Sequence, residues 1–351
     1  MQKTVAIQPD DYTDPKTPEK KDSSSRLWAV YLKEAGIIVR WVDVYRPDII
    51  RQLDGCDGLM WRWAHCKGMY RIAKRLFPVV DTYMGIAAYP NQATCWHYDD
   101  KVAQTLLFAA LDIPTPRTWV FFNRDDAITW AEKAMYPVVV KLAAGAGSSN
   151  VALIGDISSA KRFINNMFSN WNNVLPVSAT SRGIENTIAS LRILLRGRST
   201  LDYRDEEPQK GYVYFQEYLK GNTFDTRITV IGNRAFAFRR FVRDDDFRAS
   251  GSGKICFLND RIDQRFIRIA FDAASKLRTQ SLAVDALYTE DGQPVIGEIS
   301  YTYASWAVHD CPGHWLLDGD ADSGALSWIE GNMWPEAAQV ADFLELLKLR
   351  N

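Results

Sequence analysis

No stretch of this 351-residue chain is apolar for long enough to cross a bilayer as a helix, which argues against a membrane span. Cysteine is scarce and odd in number. The five residues, Cys56, Cys66, Cys95, Cys256 and Cys311, are scattered, so a disulfide framework is not expected and a cytoplasmic, reducing compartment is. Charge of one sign is not in excess: the net charge of −1 gives no overall field for nucleic acid or an anionic membrane. The opening MQKTVAIQPDDYTD lacks the apolar core of a signal peptide and reads as a first strand. There is no internal repeat, no low-complexity tract and no GxxxxGK[ST] phosphate loop. No Ser–His or Cys–His pairing marks a covalent nucleophile.

What is present is an ordinary globular composition, 47% hydrophobic and 24% charged, with enough length for two or three domains. Residues 1–90 alternate strand, helix and strand, which predicts a small α/β domain on a parallel sheet. The helix in DSSSRLWAVYLKEAG has a serine-rich cap and Gly36 at its end. A helix follows from about Asp99 to Leu111, with Lys101 in its first turn, and ends at IPTP because proline cannot continue it. The strand RTWVFF, a helix capped near Asn123, the β-branched strand Val138-Val139-Val140 and the strand VALIG come next. A helix from Ser158, an amphipathic helix at about Ile184 to Leu195 and a charged linker, RDEEPQKG, precede YVYFQEYL. The chain closes with a hairpin around Gly232-Asn233, the helix RFIRIAFDAASKL, a second hairpin, a Trp- and Pro-rich segment and a helix from about Pro335.

The second hairpin carries the sharpest chemical signal. In SLAVDALYTEDGQPVIGEIS, Asp291-Gly292 reads as a turn. Counting outward from Glu290 facing Gln293 places Asp285 opposite Glu298. Like charges opposed on a sheet are destabilising, and among apolar neighbours they need a partner; a divalent cation supplies it. The alternatives are a solvated sheet face or a register shifted by one. Lys141 ends an apolar strand just before AAGAGSSN, whose small residues Gly145, Gly147, Ser148 and Ser149 leave backbone N–H groups open to phosphate oxygens; the alternative is an edge-strand lysine reaching solvent. Gln216, Glu217, Tyr218 and Leu219 could offer backbone groups to an adenine edge, and Asp225 could accept from ribose hydroxyls. Arg239, Arg240 and Arg248 suit a triphosphate and an anionic transition state, against the alternative of a self-compensating charged hairpin. His309-Asp310-Cys311-Pro312-Gly313-His314 is a poor match to zinc spacings and reads better as a pocket-lining loop.

The order of these features resembles the ATP-grasp superfamily: DDK before a helix and IPTP, YPVVVK before a glycine/serine loop, then QEYL, DTR, DFRAS, AVD and GEIS. The C-terminal portion is most similar to the ribosomal protein S6 glutamate ligases and their relatives, with D-alanine–D-alanine ligases more distant. The resemblance covers about residues 89–305. It implies a pre-ATP-grasp α/β domain over 1–90, a linker helix and lid subdomain over 91–215 and a C-terminal α+β subdomain with the metal site over 216–351. It implies that Lys101 and Lys141 contact ATP phosphates, that the loop from Ala144 to Asn150 closes over them, and that Gln216–Leu219 and Asp225 hold adenine and ribose. Arg239 or Arg240, with Arg248, would stabilise phosphates, and Asp285 and Glu298 would bind Mg²⁺, with Mn²⁺ as an alternative. The family usually has Asn where Ser300 stands, so a second metal rests on a weaker hydroxyl ligand. The expected activity is an ADP-forming carboxylate–amine or carboxylate–thiol ligase working through an acyl-phosphate. The rivals are a kinase acting on a hydroxyl and a Mg-ATP-binding protein without turnover. A small-molecule, peptide or sugar carboxylate and an amine donor are the expected substrates, with Tyr301, Tyr303 and His309 in the substrate loop and a homodimer as one expected assembly.

Overall fold

The computed structural model describes residues 2–10, 23–64, 68–144, 150–169, 209–244, 246, 248, 249 and 251–349. Gly145, Gly147, Ser148 and Ser149, and the helix expected at about 184–195, lie outside these residues.

Four parallel strands, β1 (Thr4–Ile7), β2 (Ile38–Trp41), β3 (Gly58–Met60) and β4 (Ala87–Tyr89), form the first sheet in the order β2-β1-β3-β4. A parallel sheet is covered on both faces, and β1 shows it: Val5, Ala6 and Ile7 are all fully buried. Val5 and Ile7 pack with Trp28 and Leu32 of the helix Ser24–Glu34, while Ala6 packs with Leu53, Leu59, Trp61 and Phe77 on the other face. Ser23 caps that helix by accepting from the Arg26 N–H. The fourth strand was not expected from sequence; Ala87-Ala88-Tyr89 is too short to carry a periodic signal. The final helix, Pro335–Leu349, also belongs to this layer by packing. Its Val340, Phe343 and Leu347 share a core with Val5, Ile7 and Trp28.

The second sheet is antiparallel, with strands β5 (Thr118–Phe121), β6 (Val138–Lys141), β7 (Val151–Ile154) and β8 (Val213–Glu217) in the order β5-β8-β6-β7. Strand alternation divides its residues. Val138, Val140, Val213 and Phe215 face a core closed by helices Arg124–Ala131 and Ile157–Phe168. Val139, Lys141 and Gln216 face the opposite way, toward the third sheet.

That third sheet has seven strands: β9 (Phe224–Ile231), β10 (Arg234–Phe241), β11 (Ile255–Cys256), β12 (Ser281–Tyr288), β13 (Pro294–Ser300), β14 (Gly313–Asp318) and β15 (Ala325–Glu330). The order is β13-β12-β9-β10-β14-β15, with β11 on β10. Helix Gln264–Leu277 buries Phe266, Ile267, Ala270 and Phe271 against Ile228, Val230, Leu282, Val284 and Ile299. The other face of the central strands carries the charged residues. Among the described residues, no helix is long and apolar enough to cross a membrane.

Asp285 does pair with Glu298, but by a route that sequence counting missed. Thr289 N donates to Gln293 O at 2.9 Å and Gly292 N to Thr289 O at 3.0 Å, so the loop holds three residues, with Gly292 at φ +76. This is a three-residue hairpin loop closed by a left-handed glycine. It shifts the register by one, so Tyr288 faces Pro294 and Ala286 faces Ile296. A bulge at Gly297 then shifts the register back. Without the bulge, Glu298 would point into the core and Ile299 into the cleft, because a one-residue slip exchanges the two faces of a strand.

Candidate active site

Between the second and third sheets lies a cleft of about 140 Å³, partly open to solvent. Its walls come from both sides: Val139, Lys141 and Gln216–Leu219 from one, and Asp225, Arg248, Asp285 and Glu298 from the other. Apolar walls with a few convergent polar groups are the usual lining of small-molecule sites. Val151, Leu287 and Phe224 supply further apolar surface. Nine residues singled out from sequence therefore share one cavity.

Four of the charged side chains on the third sheet form an alternating chain. Arg240 donates through Nε and Nη2 to the two oxygens of Asp225 at 2.7 and 2.6 Å. Its Nη2 also lies 2.7 Å from Asp285 Oδ2. Arg227 grips Asp285 from the other side, Nε to Oδ1 at 2.6 Å and Nη2 to Oδ2 at 2.7 Å. The strand register makes this possible, because Asp225 opposes Arg240 and Arg227 opposes Asp285. Burial opposes ionisation of Asp285, but the Arg227 and Arg240 guanidinium groups outweigh it and hold the carboxyl below the usual carboxylate range. Burial, with the Asp285 charge beside it, pushes Asp225 upward. Arg227 received no role from sequence. Its signal was there: DTR places an arginine two residues from Asp225, on the same face of the strand.

Lys101, 4% exposed, starts the helix Lys101–Ala110. Asp100 caps this helix by accepting from the Ala103 N–H at 2.9 Å. Lys101 Nζ lies 3.2 Å from Glu298 Oε1 and 3.7 Å from Asp99 Oδ1. Burial disfavours the Lys101 charge, but Glu298 and then Asp99 more than restore it, and its pKa is raised. Lys141 Nζ lies 3.4 Å from Gly297 O, so both lysines reach the bulged strand that carries Glu298. Arg248 lines the cleft and is held by Asp246, Nη2 to Oδ2 at 2.7 Å.

Arg239 is not brought to this cluster. Neighbouring residues of a strand point to opposite faces, and the Arg239 guanidinium sits 4.2 Å from the Phe224 ring centre. Ser300 shares the Glu298 face, but its hydroxyl donates to Thr302 O at 2.9 Å. Tyr301 and Tyr303 are buried packing residues. The Tyr301 hydroxyl donates to Trp63 O, and its ring centre lies 4.9 Å from that of Tyr98. The Tyr303 hydroxyl meets Ser281 Oγ and Gln339 Nε2, each at 2.7 Å. His309 stacks on Trp334 with ring centres 4.1 Å apart. Cys311 is buried against the carbonyls of Ala237 and Ala307. No group of three or more His, Cys, Asp or Glu placed to hold a metal occurs among the described residues.

The donor set nevertheless fits one kind of metal. Mg²⁺ takes one or two carboxylates and completes its shell with water and substrate phosphate oxygens rather than an all-protein cage. Asp285 and Glu298, paired across two strands on the cleft face, offer that pair.

No family model matches the chain. A curated relative, the alpha-aminoadipate–LysW ligase LysX of Saccharolobus solfataricus, is 20% identical over 217 residues, 62% of this chain and 66% of that protein. The match thus spans just under two thirds of the relative's length. Among solved structures, a RimK domain ATP-grasp protein from Sphaerobacter thermophilus superposes with a TM-score of 0.53 at 17% identity, over 97% of this chain and 98% of its own. D-cycloserine synthetase DcsG gives 0.56 at 14% identity, over 99% and 100%. The ATP-grasp ligase PsnB, solved with a minimal precursor, Mg and ADP, gives 0.56 at 12% identity, over 98% of each chain. The chain has the ATP-grasp fold.

Proposed function

We propose that this protein is an ATP-dependent, ADP-forming ligase that joins a carboxylate to an amine or a thiol through an acyl-phosphate. The observation that carries this reading is the convergence of Lys141, Asp285, Glu298 and the segment Gln216–Leu219 on one cleft of this fold. The apolar walls Val139, Leu287 and Phe224 would sandwich the adenine, whose edge would meet the backbone of Gln216–Leu219. Asp225 would face the ribose. Lys101, Lys141 and Arg248 would hold the phosphates, with the segment from Ala144 to Asn150 as their cover. Mg²⁺, or Mn²⁺ in its place, would be held by Asp285 and Glu298, with Ser300 as a weaker ligand, and would neutralise charge on the transferring phosphoryl group. The substrate carboxylate attacks the γ-phosphate, and ADP leaves. The amine then displaces phosphate from the acyl-phosphate. Excluding water protects that intermediate, which suits a cleft closed from two sides.

The test is ADP release across a panel of carboxylates, each with ammonia, amino acids or thiols. Asp285→Asn and Glu298→Gln are expected to lower release at least tenfold at low millimolar Mg²⁺, with partial recovery at higher Mg²⁺. Release at the wild-type level in both variants sinks the metal assignment. One observation favours a second reading, Mg-ATP binding without turnover: two arginines already occupy Asp285, and the Ser300 hydroxyl is turned to Thr302. Saturable ATP binding with no ADP from any acceptor supports it. ADP formed with a stable phosphorylated product and no need for an amine points instead to a kinase.

A further inference from the structure

Strand β13 is braced from outside its sheet. It is an edge strand, so among the described residues the backbone groups on its outer side have no neighbouring strand to meet. Two contacts from one segment of chain stand in for that strand. Ile296 N donates to Pro114 O at 2.8 Å. At Ile299 the partner is a side chain: Gln104 Nε2 donates to Ile299 O at 3.0 Å, and Gln104 Oε1 accepts from Ile299 N at 3.4 Å. Gln104 Nε2 also donates to His97 O at 3.2 Å. A primary amide has an acceptor oxygen and two N–H donors, and here each meets a backbone group of the matching kind. Turning the amide over would set N–H against N–H and oxygen against two carbonyls, so the network admits one orientation. Gln104 is 3% exposed and stands one turn after Lys101 on the helix Lys101–Ala110.

The two braces bracket the bulge at Gly297 and the carboxylate that follows it. Ile296 and Ile299 are buried in the core of the third sheet, while Glu298 between them lines the cleft. The Glu298–Ile299 peptide carries the Ile299 N–H, and the Ile299–Ser300 peptide carries the Ile299 C=O. Peptide units are planar, so Gln104 fixes the planes on both sides of Ile299 and with them the direction in which Glu298 leaves the strand. Lys101, on the same helix, meets the Glu298 side chain itself, Nζ to Oε1 at 3.2 Å. We infer that Gln104 is a positioning residue: it clamps the edge of β13, fixes how Glu298 is presented to a divalent cation, and ties that carboxylate to the helix that bears Lys101. The presentation to a cation rests on the ligase reading; the clamp on the strand does not.

The experiment compares two buried glutamines in the full chain. Gln104→Met keeps length and bulk and removes all three hydrogen bonds. Gln339→Met is the control for lost stability, because Gln339 is 6% exposed, bonds Trp28 and Tyr303, and is not among the residues lining the cleft. Mn²⁺ affinity is read by electron paramagnetic resonance with a non-hydrolysable ATP analogue bound. Exchange of the Ile299 amide is read by mass spectrometry of fragments that span it. Gln104→Met should weaken Mn²⁺ about tenfold, the usual cost of losing a group that orients a metal ligand. It should also speed Ile299 exchange roughly tenfold, since that amide loses its partner. Gln339→Met should lower the melting temperature and leave both readouts within twofold of wild type. Gln104→Glu keeps the acceptor for Ile299 N and regains a donor only when protonated. Its Mn²⁺ deficit relative to wild type should therefore shrink from about pH 8 to about pH 6. The positioning role is overturned if Gln104→Met binds Mn²⁺ like wild type, if Gln339→Met loses as much affinity, or if the Gln104→Glu deficit is equal at both pH values. Should Gln104→Met fail to fold, Gln104→Glu decides. Wild-type protein that binds the ATP analogue but no Mn²⁺ overturns the metal assignment; the clamp then stands if Ile299 exchange is faster in Gln104→Met and falls if it is unchanged.

Discussion

Arg240 shows how much a single side chain decides here. It is the cation shared by two acids, the buried Asp225 and the half-buried Asp285. Removing one partner of a buried ionic set leaves uncompensated charge in a low-dielectric site. Arg240→Ala should therefore lower unfolding free energy by about 3–5 kcal/mol, read by urea denaturation. A loss under about 1 kcal/mol would mean that water reaches the pair. Arg240→Lys should not rescue it, because an ammonium cannot hold Asp225 through two parallel bonds. His97 makes a pH-dependent contribution. Burial lowers its pKa to about 4, so the folded ring stays neutral where the unfolded ring is already protonated. The unfolded state then binds more protons between about pH 6.5 and 4, and stability rises with pH across that window. The expected loss on acidification from pH 7 to below 4 is roughly 3 kcal/mol from this residue. His97→Gln should flatten that part of the stability–pH curve; an unchanged slope would show that other groups set it.

At the scale of the element, the hairpin β12–β13 governs the site. Its two carboxylates were legible from the turn signal and the alternation of apolar residues. The three-residue loop and the Gly297 bulge were not, and they happen to cancel in the count. Nothing in a local pattern announces a bulge, because its reason lies in two separate demands: Ile296 and Ile299 in one core, and Glu298 in the cleft. Deleting Gly297 should turn Glu298 into that core and abolish ADP formation, whereas Gly297→Ala should keep it. An added Cβ would meet Leu287 Cδ1 at 3.3 Å and Asp285 O at 3.5 Å, close but tolerable. Comparing the two variants by ADP release and thermal melting separates register from packing. Equal activity in both would show that the bulge does not set the site. The same alternation separates Arg240 from Arg239, which the sequence reading held together as a choice. One points to the acids, and the other lies over Phe224.

For the whole molecule, the notable link is between the chain's two ends. Phe343, from the last helix, packs into the core of the first sheet, and a Cβ on Gly58 would come within 2.7 Å of its Cζ. Phe343→Ala should cost about 3–5 kcal/mol of stability, as is usual for a fully buried aromatic. Gly58→Ala should destabilise by about 1–3 kcal/mol through overpacking. Near-UV circular dichroism of Trp28, which shares that core, would report both; an unperturbed spectrum and melt would refute the docking. A second tie is Gln280, which accepts from Asn91 N at 2.7 Å and donates to Ala88 O at 3.0 Å. It joins the third sheet to the end of the first.

The sequence by itself determined what depends on near neighbours. It placed helix caps such as Ser23 and Asn123, the β9–β10 hairpin, the apolar strand before Lys141, and the order of motifs that resembles ATP-grasp enzymes. These are local because capping, turn formation and side-chain alternation act over a few residues. The tertiary structure alone decided which charge meets which. Lys101 reaches Glu298 across nearly two hundred positions of chain, Arg227 takes Asp285, and Glu336 joins Ser24 to Ser305. The physical reason is that buried charges must find opposite partners, and the partners available are fixed by how sheets stack and strands register, which no window of sequence contains.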